Sequence, residues 1–152
     1  SSNNAFHLTA PDKEAAGLRR AMALALQSGG VRPAEIDHVN AHGTGTKYND
    51  VTETQAIKAL LGPRAYQIPV NAIKSMTGHT MGAAGALEAI ASVLSIRDGL
   101  IPPTIHYQEP DPECDLNYTT NRAAAGRIRT VLSNSAGIGG CNAAVVLQQV
   151  AS

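Results

Sequence analysis

Three stretches with helical apolar spacing alternate with two short apolar runs, and a β-rich pair split by glycines closes the chain. That order leaves few architectures open. The first helical stretch, PDKEAAGLRRAMALALQSGG, opens at Pro11 and Asp12 and places Ala15, Leu18, Met22, Ala25 and Leu26 on one face. Gly29 and Gly30 end it. Ile36 to His42 reads as a short buried strand, Asp50 to Gly62 as the next helix, and Ile68 to Ile73 as a second strand. Asp50 and Glu53 have the spacing of a capping box. A helix of small residues runs from about Met81 to Asp98 and stops at Gly99. Pro102 and Pro103 keep LIPPTIHY extended. IRTVLSNSAGIGGCNAAVVLQQV reads as two strands joined by a glycine loop. Alternation of this kind predicts an α/β layered sheet. A doubly wound unit usually opens on a central strand; the expectation is that such a strand precedes this chain.

The core has to be built from Ala, Val, Leu and Ile, because the 152 residues include one Phe and no Trp. Twelve basic and 12 acidic residues cancel, so nothing marks a nucleic-acid surface or a basic membrane patch. No apolar run reaches the length of a membrane-spanning helix, and the opening SSNNAFHLTAPDKE is too polar for a signal peptide. Two cysteines, Cys114 and Cys141, make no disulfide framework. The setting expected from these features is the cytoplasm.

Two loops that leave strand ends carry histidines. NAHGTGTKYND holds His42, and KSMTGHTMG holds Lys74 and His79. Ligands of open α/β sheets bind at the carboxyl ends of strands, so the two loops can converge. Glycines at 43, 45, 78 and 82 allow close approach, and Thr44, Thr46, Ser75, Thr77 and Thr80 supply neutral hydrogen bonds. Two imidazoles and a lysine suit a reaction that develops negative charge on oxygen. Glu88 falls on the small-residue helix, where a carboxylate needs a partner, and Lys74 is the candidate. No serine occupies a Gly-x-Ser-x-Gly elbow. Cys141, in its glycine loop, reads as a small buried turn residue, and Cys114 has Glu113 and Asp115 beside it, which raise its pKa. His7, His38 and His106 lack such surroundings and read as structural, and Asp50 and Glu53 read as helix caps.

VNAHGTGT, KSMTGHTMGAAGALEAI, IPPTIHYQEPDPECDLNY and LSNSAGIGGCNAAVV resemble, in that order, the C-terminal half of the β-ketoacyl synthases. These are thiolase-like condensing enzymes of fatty-acid and polyketide synthesis. The resemblance implies one domain over residues 1–152, half of a layered α/β/α unit with a mixed five-stranded sheet. It implies decarboxylative condensation of an acyl thioester with a malonyl unit on acyl carrier protein. His42, His79, Lys74 and Glu88 match the family's catalytic set, and Thr44 and Thr46 match the threonines lining the phosphopantetheine entry. Ile138 and Gly139 fall in the family's gating loop. No bound cofactor or metal is implied, since the pantetheine arm comes with the carrier protein. The partners implied are that protein and an N-terminal half or sister chain, in a homodimer or heterodimer. The helix after His79 is expected at the centre of the layers, with Ala83, Ala84, Gly85 and Ala86 giving close approach and holding His79 in place.

Two departures bear on this. The family's nucleophilic cysteine belongs to the N-terminal half, and Cys141 stands where the family usually has threonine. The gating loop reads Ala136-Gly137-Ile138-Gly139-Gly140, where the family has two phenylalanines, which suggests an unusual acyl chain such as a polyketide or polyene. The alternative readings are a non-catalytic subunit of the chain-length-factor type and a metal-dependent hydrolase using His42, His79 and Asp50. Both histidines argue against the first. A lysine that repels the metal argues against the second.

Overall fold

The structure, a computed structural model, describes residues 1–7, 12 and 14–150. In chain order its elements are β1 (Ser2–Asn3), α1 (Ala16–Gly29), β2 (His38–Asn40), α2 (Asn49–Leu61), β3 (Val70–Asn71), α3 (Lys74–Thr77), α4 (Ala84–Asp98), β4 (Leu100–Ile101), β5 (Ala124–Ala125), β6 (Thr130–Ala136) and β7 (Cys141–Gln148). A five-stranded sheet has the order β1-β7-β6-β2-β3. β2 runs parallel to both β3 and β6, while β7 is antiparallel to β6 and to β1. The sheet is therefore mixed, and β4 and β5 form a separate two-stranded ribbon.

Several element ends differ from expectation: β2 and β3 are shorter than the runs Ile36–His42 and Ile68–Ile73, and α4 begins at Ala84 rather than about Met81. The helix start expected at Pro11 lies outside the described residues. α1 begins only at Ala16, because Ala15 takes a left-handed conformation (φ 54°) that no α-helix accommodates. The Asp12 carboxylate still accepts the Ala16 N–H at 3.1 Å. The capping box expected at Asp50 and Glu53 does not form either. α2 starts at Asn49 with no side-chain cap. Glu53 is drawn inward, as described below.

Side chains alternate along β2. Val39 enters the main apolar core with Leu18, Met22 and Leu26 of α1, Ala56, Ile57 and Leu61 of α2, Val70 and Leu132. His38 and Asn40 therefore face the other side, where α4 lies. That side is polar. The buried stripe of α4 is Ala84, Glu88, Ser92 and Ser95. Asn40 donates to the Glu88 carbonyl oxygen at 3.1 Å and lies 3.2 Å from the Ser92 hydroxyl. Small side chains on the helix are what let a short asparagine reach its main chain.

The other face of α4 differs from the expectation of a central, enclosed helix. Of the small residues expected to approach the sheet, only Ala84 is buried; Ala83, Gly85 and Ala86 are exposed, and Gly82 and Gly85 have open space where a Cβ would stand. Leu87, Ile90, Val93 and Leu94 are exposed as well. The polar stripe seats the helix on this sheet. The apolar stripe is left uncovered in the described chain.

Candidate active site

The loops after β2 and β3 converge at one end of the parallel strands. Gly43 is packed so closely that an added Cβ would stand 2.2 Å from the Ala72 Cβ, and its φ is +44°. Glycine is thus what joins the two loops.

Lys74 lies at the start of α3 and is buried. Its ammonium group has three protons, and each has an acceptor. One goes to Glu88 Oε1 in a buried ion pair; one goes to the His42 carbonyl oxygen at 2.6 Å; the third points to His42 Nδ1 at 3.2 Å. Glu88 Oε2 also accepts from the Ser135 hydroxyl at 3.3 Å. Because an ammonium only donates, Nδ1 of His42 is the acceptor and Nε2 carries the ring proton. His42 has its pKa pushed down to about 4, first by burial, then by the charges of Lys74 and His79. It is neutral at pH 7.

The His79 ring stands edge-on to that of His42, with centroids 5.4 Å apart and planes at 84°. His79 Nδ1 accepts the Met81 N–H at 3.3 Å, so its Nε2 also bears the proton. The two imidazoles come together with Nδ1 of each accepting a hydrogen bond and Nε2 of each left to donate. His79 itself is exposed.

Glu53 is the residue that sequence reasoning misplaced. It is buried on α2 and accepts the His42 N–H at 2.6 Å, the Gly43 N–H at 2.9 Å and the Asn134 side-chain amide. Burial raises its pKa, against the opposing effect of these hydrogen bonds. A signal existed: Glu53 lies on the same helical stripe as Ile57 and Leu61, where a carboxylate calls for donors. Asn134 and Ser135, also overlooked, are the β6 residues that meet Glu53 and Glu88.

A cleft of about 500 Å³ opens beside this group. Thr44, Thr46, Lys74, Ser75 and His79 line it, together with the segment from Thr104 to Tyr107. The hydroxyls of Thr44 and Thr46 are 2.9 Å apart. Ile138 and Gly139 do not line the cleft. They form the exposed turn between β6 and β7, where the Gly139 carbonyl accepts from the Asn3 amide at 2.9 Å.

Cys141 is exposed at the start of β7, contrary to the buried turn expected. Cys114 lines the cleft; burial is the first cause that raises its pKa, with Asp111, Asp50 and Glu113 adding to it. Asp115, expected to contribute, instead pairs with Lys58. Asp50, named with the histidines in the metal reading, is hydrogen-bonded by Asn49 at 3.0 Å. Among the described residues no three His, Cys, Asp or Glu side chains group closely enough to hold a metal ion. No helix among them is long and apolar enough to cross a membrane.

A mixed α/β sheet thus carries two histidines and a lysine together at the ends of its parallel strands. The C-terminal domain model of the β-ketoacyl synthases matches residues 1–108, and the chain belongs to that family. It is 48% identical over 149 residues to 3-oxoacyl-[acyl-carrier-protein] synthase 2 of Coxiella burnetii, covering 98% of this chain and 36% of that protein. It is also 48% identical over 145 residues to the tetracenomycin polyketide synthase ketoacyl synthase alpha subunit of Streptomyces glaucescens, covering 95% and 34%. Among solved structures, the ishigamide ketosynthase/chain length factor superposes with a TM-score of 0.93 at 46% identity, over 99% of this chain and 36% of that one. A type II polyketide ketosynthase solved with its acyl-carrier protein, AntDE:AntF, gives a TM-score of 0.95 at 40% identity, over 98% and 36%. The fold is thus thiolase-like, and the chain spans about a third of the length of these relatives.

Proposed function

We propose that this chain is the C-terminal portion of a β-ketoacyl synthase, an acyltransferase, and that residues 1–152 are one domain of it. The reaction is decarboxylative Claisen condensation of an acyl thioester with malonyl-acyl carrier protein. The observation that carries this reading is the proton order of the two rings: Lys74 spends its three donors on Glu88 and His42, and the Met81 N–H is donated to His79 Nδ1, which leaves the Nε2 of both histidines as donors.

When the malonyl carboxylate leaves as CO₂, its bonding pair moves onto the α-carbon and the thioester oxygen. The two N–H groups stabilise that oxyanion. The resulting carbanion attacks the acyl carbonyl, and the acyl thioester's sulfur departs as thiolate. Lys74 and Glu88 hold the His42 ring and lose no proton in the sequence. The acyl-bearing cysteine is proposed to come from the part of such synthases that this chain does not span. Cys141 lies by the β6–β7 turn and the Cys114 thiol is pushed up in pKa.

Thr44 and Thr46 are proposed to hydrogen-bond the phosphopantetheine arm of the carrier protein, with Ile138 and Gly139 as the gate. The partners are the acyl carrier protein and the N-terminal half or a sister chain, in a cytoplasmic dimer. A relative was solved with its acyl-carrier protein, and another with its chain length factor, which supports both kinds of partner. The test uses the intact synthase. His42→Ala and His79→Ala are each expected to lower malonyl decarboxylation about 10²-fold or more, with acyl transfer to the nucleophile less affected. Unchanged decarboxylation in both variants removes the proposed roles.

A further inference from the structure

His38 is fully buried on β2, with no place in the chemistry above. Its Nε2 lies 2.7 Å from Asn71 Oδ1 on the neighbouring β3. Asn71, also buried, donates its Nδ2 to the Pro102 carbonyl oxygen at 2.8 Å. A carbonyl accepts only, so Asn71 has to present its NH₂ to Pro102 and its oxygen to His38. His38 therefore carries a proton on Nε2, and burial, which pushes its pKa down to about 4, keeps the ring neutral. Its Nδ1 is buried without a partner. A polar ring kept at such a place needs a reason.

The reason lies one step further along the chain. Pro102 begins the segment whose Thr104, Ile105, His106 and Tyr107 line the same cleft as Thr44 and Thr46. Past Pro102, this wall is fastened once to Ala72, just after β3, and once to Ser75 in α3. Ala72 N–H donates to the Thr104 hydroxyl at 2.9 Å, and Ile105 N–H donates to the Ser75 hydroxyl at 2.9 Å. The Asn71 amide sets where the wall starts. An Asn71 side chain free to flip would turn its oxygen toward the Pro102 oxygen and push the wall away; the His38 N–H makes that flip unfavourable.

We propose that His38 and Asn71 are positioning residues that hold the Pro102–Tyr107 wall at the width of the carrier-linked thioester arm. This rests on the reading of the chain as part of a β-ketoacyl synthase. It predicts a selective defect, because a misplaced wall weakens binding of the arm while His42 and His79 stay in place.

The test compares kcat/KM for malonyl decarboxylation in the intact synthase with two substrates: malonyl-acyl carrier protein and malonyl-N-acetylcysteamine, which lacks most of the arm. His38→Phe keeps an aromatic ring at this place and removes the donor. It is expected to lower the carrier-linked value about tenfold relative to the truncated one, the scale of one lost buried hydrogen bond, mainly through KM. His38→Gln, which restores an N–H donor, is expected to recover most of the ratio. An equal fall for both substrates, or an unchanged ratio, overturns the proposal. A wild-type enzyme that decarboxylates neither substrate instead overturns the β-ketoacyl synthase reading. Should His38→Phe not fold, ¹⁵N shifts of the wild-type His38 ring decide the point. A neutral Nε2–H tautomer at pH 7 supports the strut, and an Nδ1–H or charged ring overturns it.

Discussion

Lys74 and Glu88 meet as an ion pair enclosed between α3 and α4, and the same ammonium is bound to the carbonyl and ring of His42. The pair thus joins the short helix that carries one part of the site to the long helix behind it. Removing one partner leaves the other charge buried, which typically costs about 3–5 kcal/mol. Glu88→Gln in the intact synthase is expected to lower the unfolding midpoint and condensation together, since a released Lys74 no longer orients His42. Melting by calorimetry and a condensation assay read the two effects. An E88Q enzyme with both unchanged would show that the pair holds nothing.

Two glycines in the loop that follows His42 offer a controlled comparison. Gly43 (φ +44°) has the Ala72 Cβ against it, whereas Gly45 (φ +70°) has nothing within 4 Å of an added Cβ. Gly45→Ala carries only the left-handed penalty of about 1–2 kcal/mol. Gly43→Ala carries that penalty and also pushes the His42 loop off β3. Decarboxylation is expected to fall at least tenfold further in Gly43→Ala than in Gly45→Ala. Equal rates in the two variants would place no weight on the 2.2 Å approach.

The sequence was most legible where spacing alone decides a face. The α1 stripe, the β6–β7 hairpin and the stop at Gly99 all follow from local pattern. His42, Lys74, His79 and Glu88 came together because each left a strand end or lay on a helix facing one. Glu53 was misread because its spacing from Asp50 fits a capping box as well as it fits a buried stripe. Only the tertiary donors, the His42 and Gly43 N–H groups, decide between them. His38 was left aside for a like reason: its partner is 33 positions away, on the adjacent strand, and no local pattern shows which strands pair. The inner and outer faces of α4 were also assigned too simply. Its alanines and glycines suggested the sheet contact, while of these Ala84 alone joins Glu88, Ser92 and Ser95 on the buried face, with Ile96 packed on the apolar cluster.

That outer face leads to a third expectation. Leu87, Ile90, Val93 and Leu94 form an exposed apolar stripe, continued by the exposed Leu100. Contiguous patches of this kind are covered in working proteins or drive association. Produced by itself, the 152-residue chain is expected to self-associate, and Ile90→Lys with Leu94→Lys is expected to shift it toward monomer. Sedimentation velocity reads the distribution. A wild-type chain that runs as a single monomeric species at high concentration would count against this.

The last expectation concerns acid. His42 and His38 both have their pKa pushed down to about 4, in each case first by burial. In the unfolded chain each returns to about 6.5, the ordinary imidazole value. Between these two values the unfolded state binds protons that the folded state refuses, so stability rises with pH across that window. The contribution is fully present above about pH 6.5 and is lost as pH falls toward 4. The unfolding midpoint of the intact synthase should therefore decline from pH 6.5 downward, and His38→Gln should make that decline shallower by removing one of the two groups. The same displacement predicts no loss of decarboxylation near pH 6.5 from protonation of His42, because its ring stays a neutral donor there. A titration of the His42 ring followed by nuclear magnetic resonance tests this at the residue itself. A midpoint between 6 and 7 would mean that burial and the Lys74 charge do not act on the ring as the geometry requires.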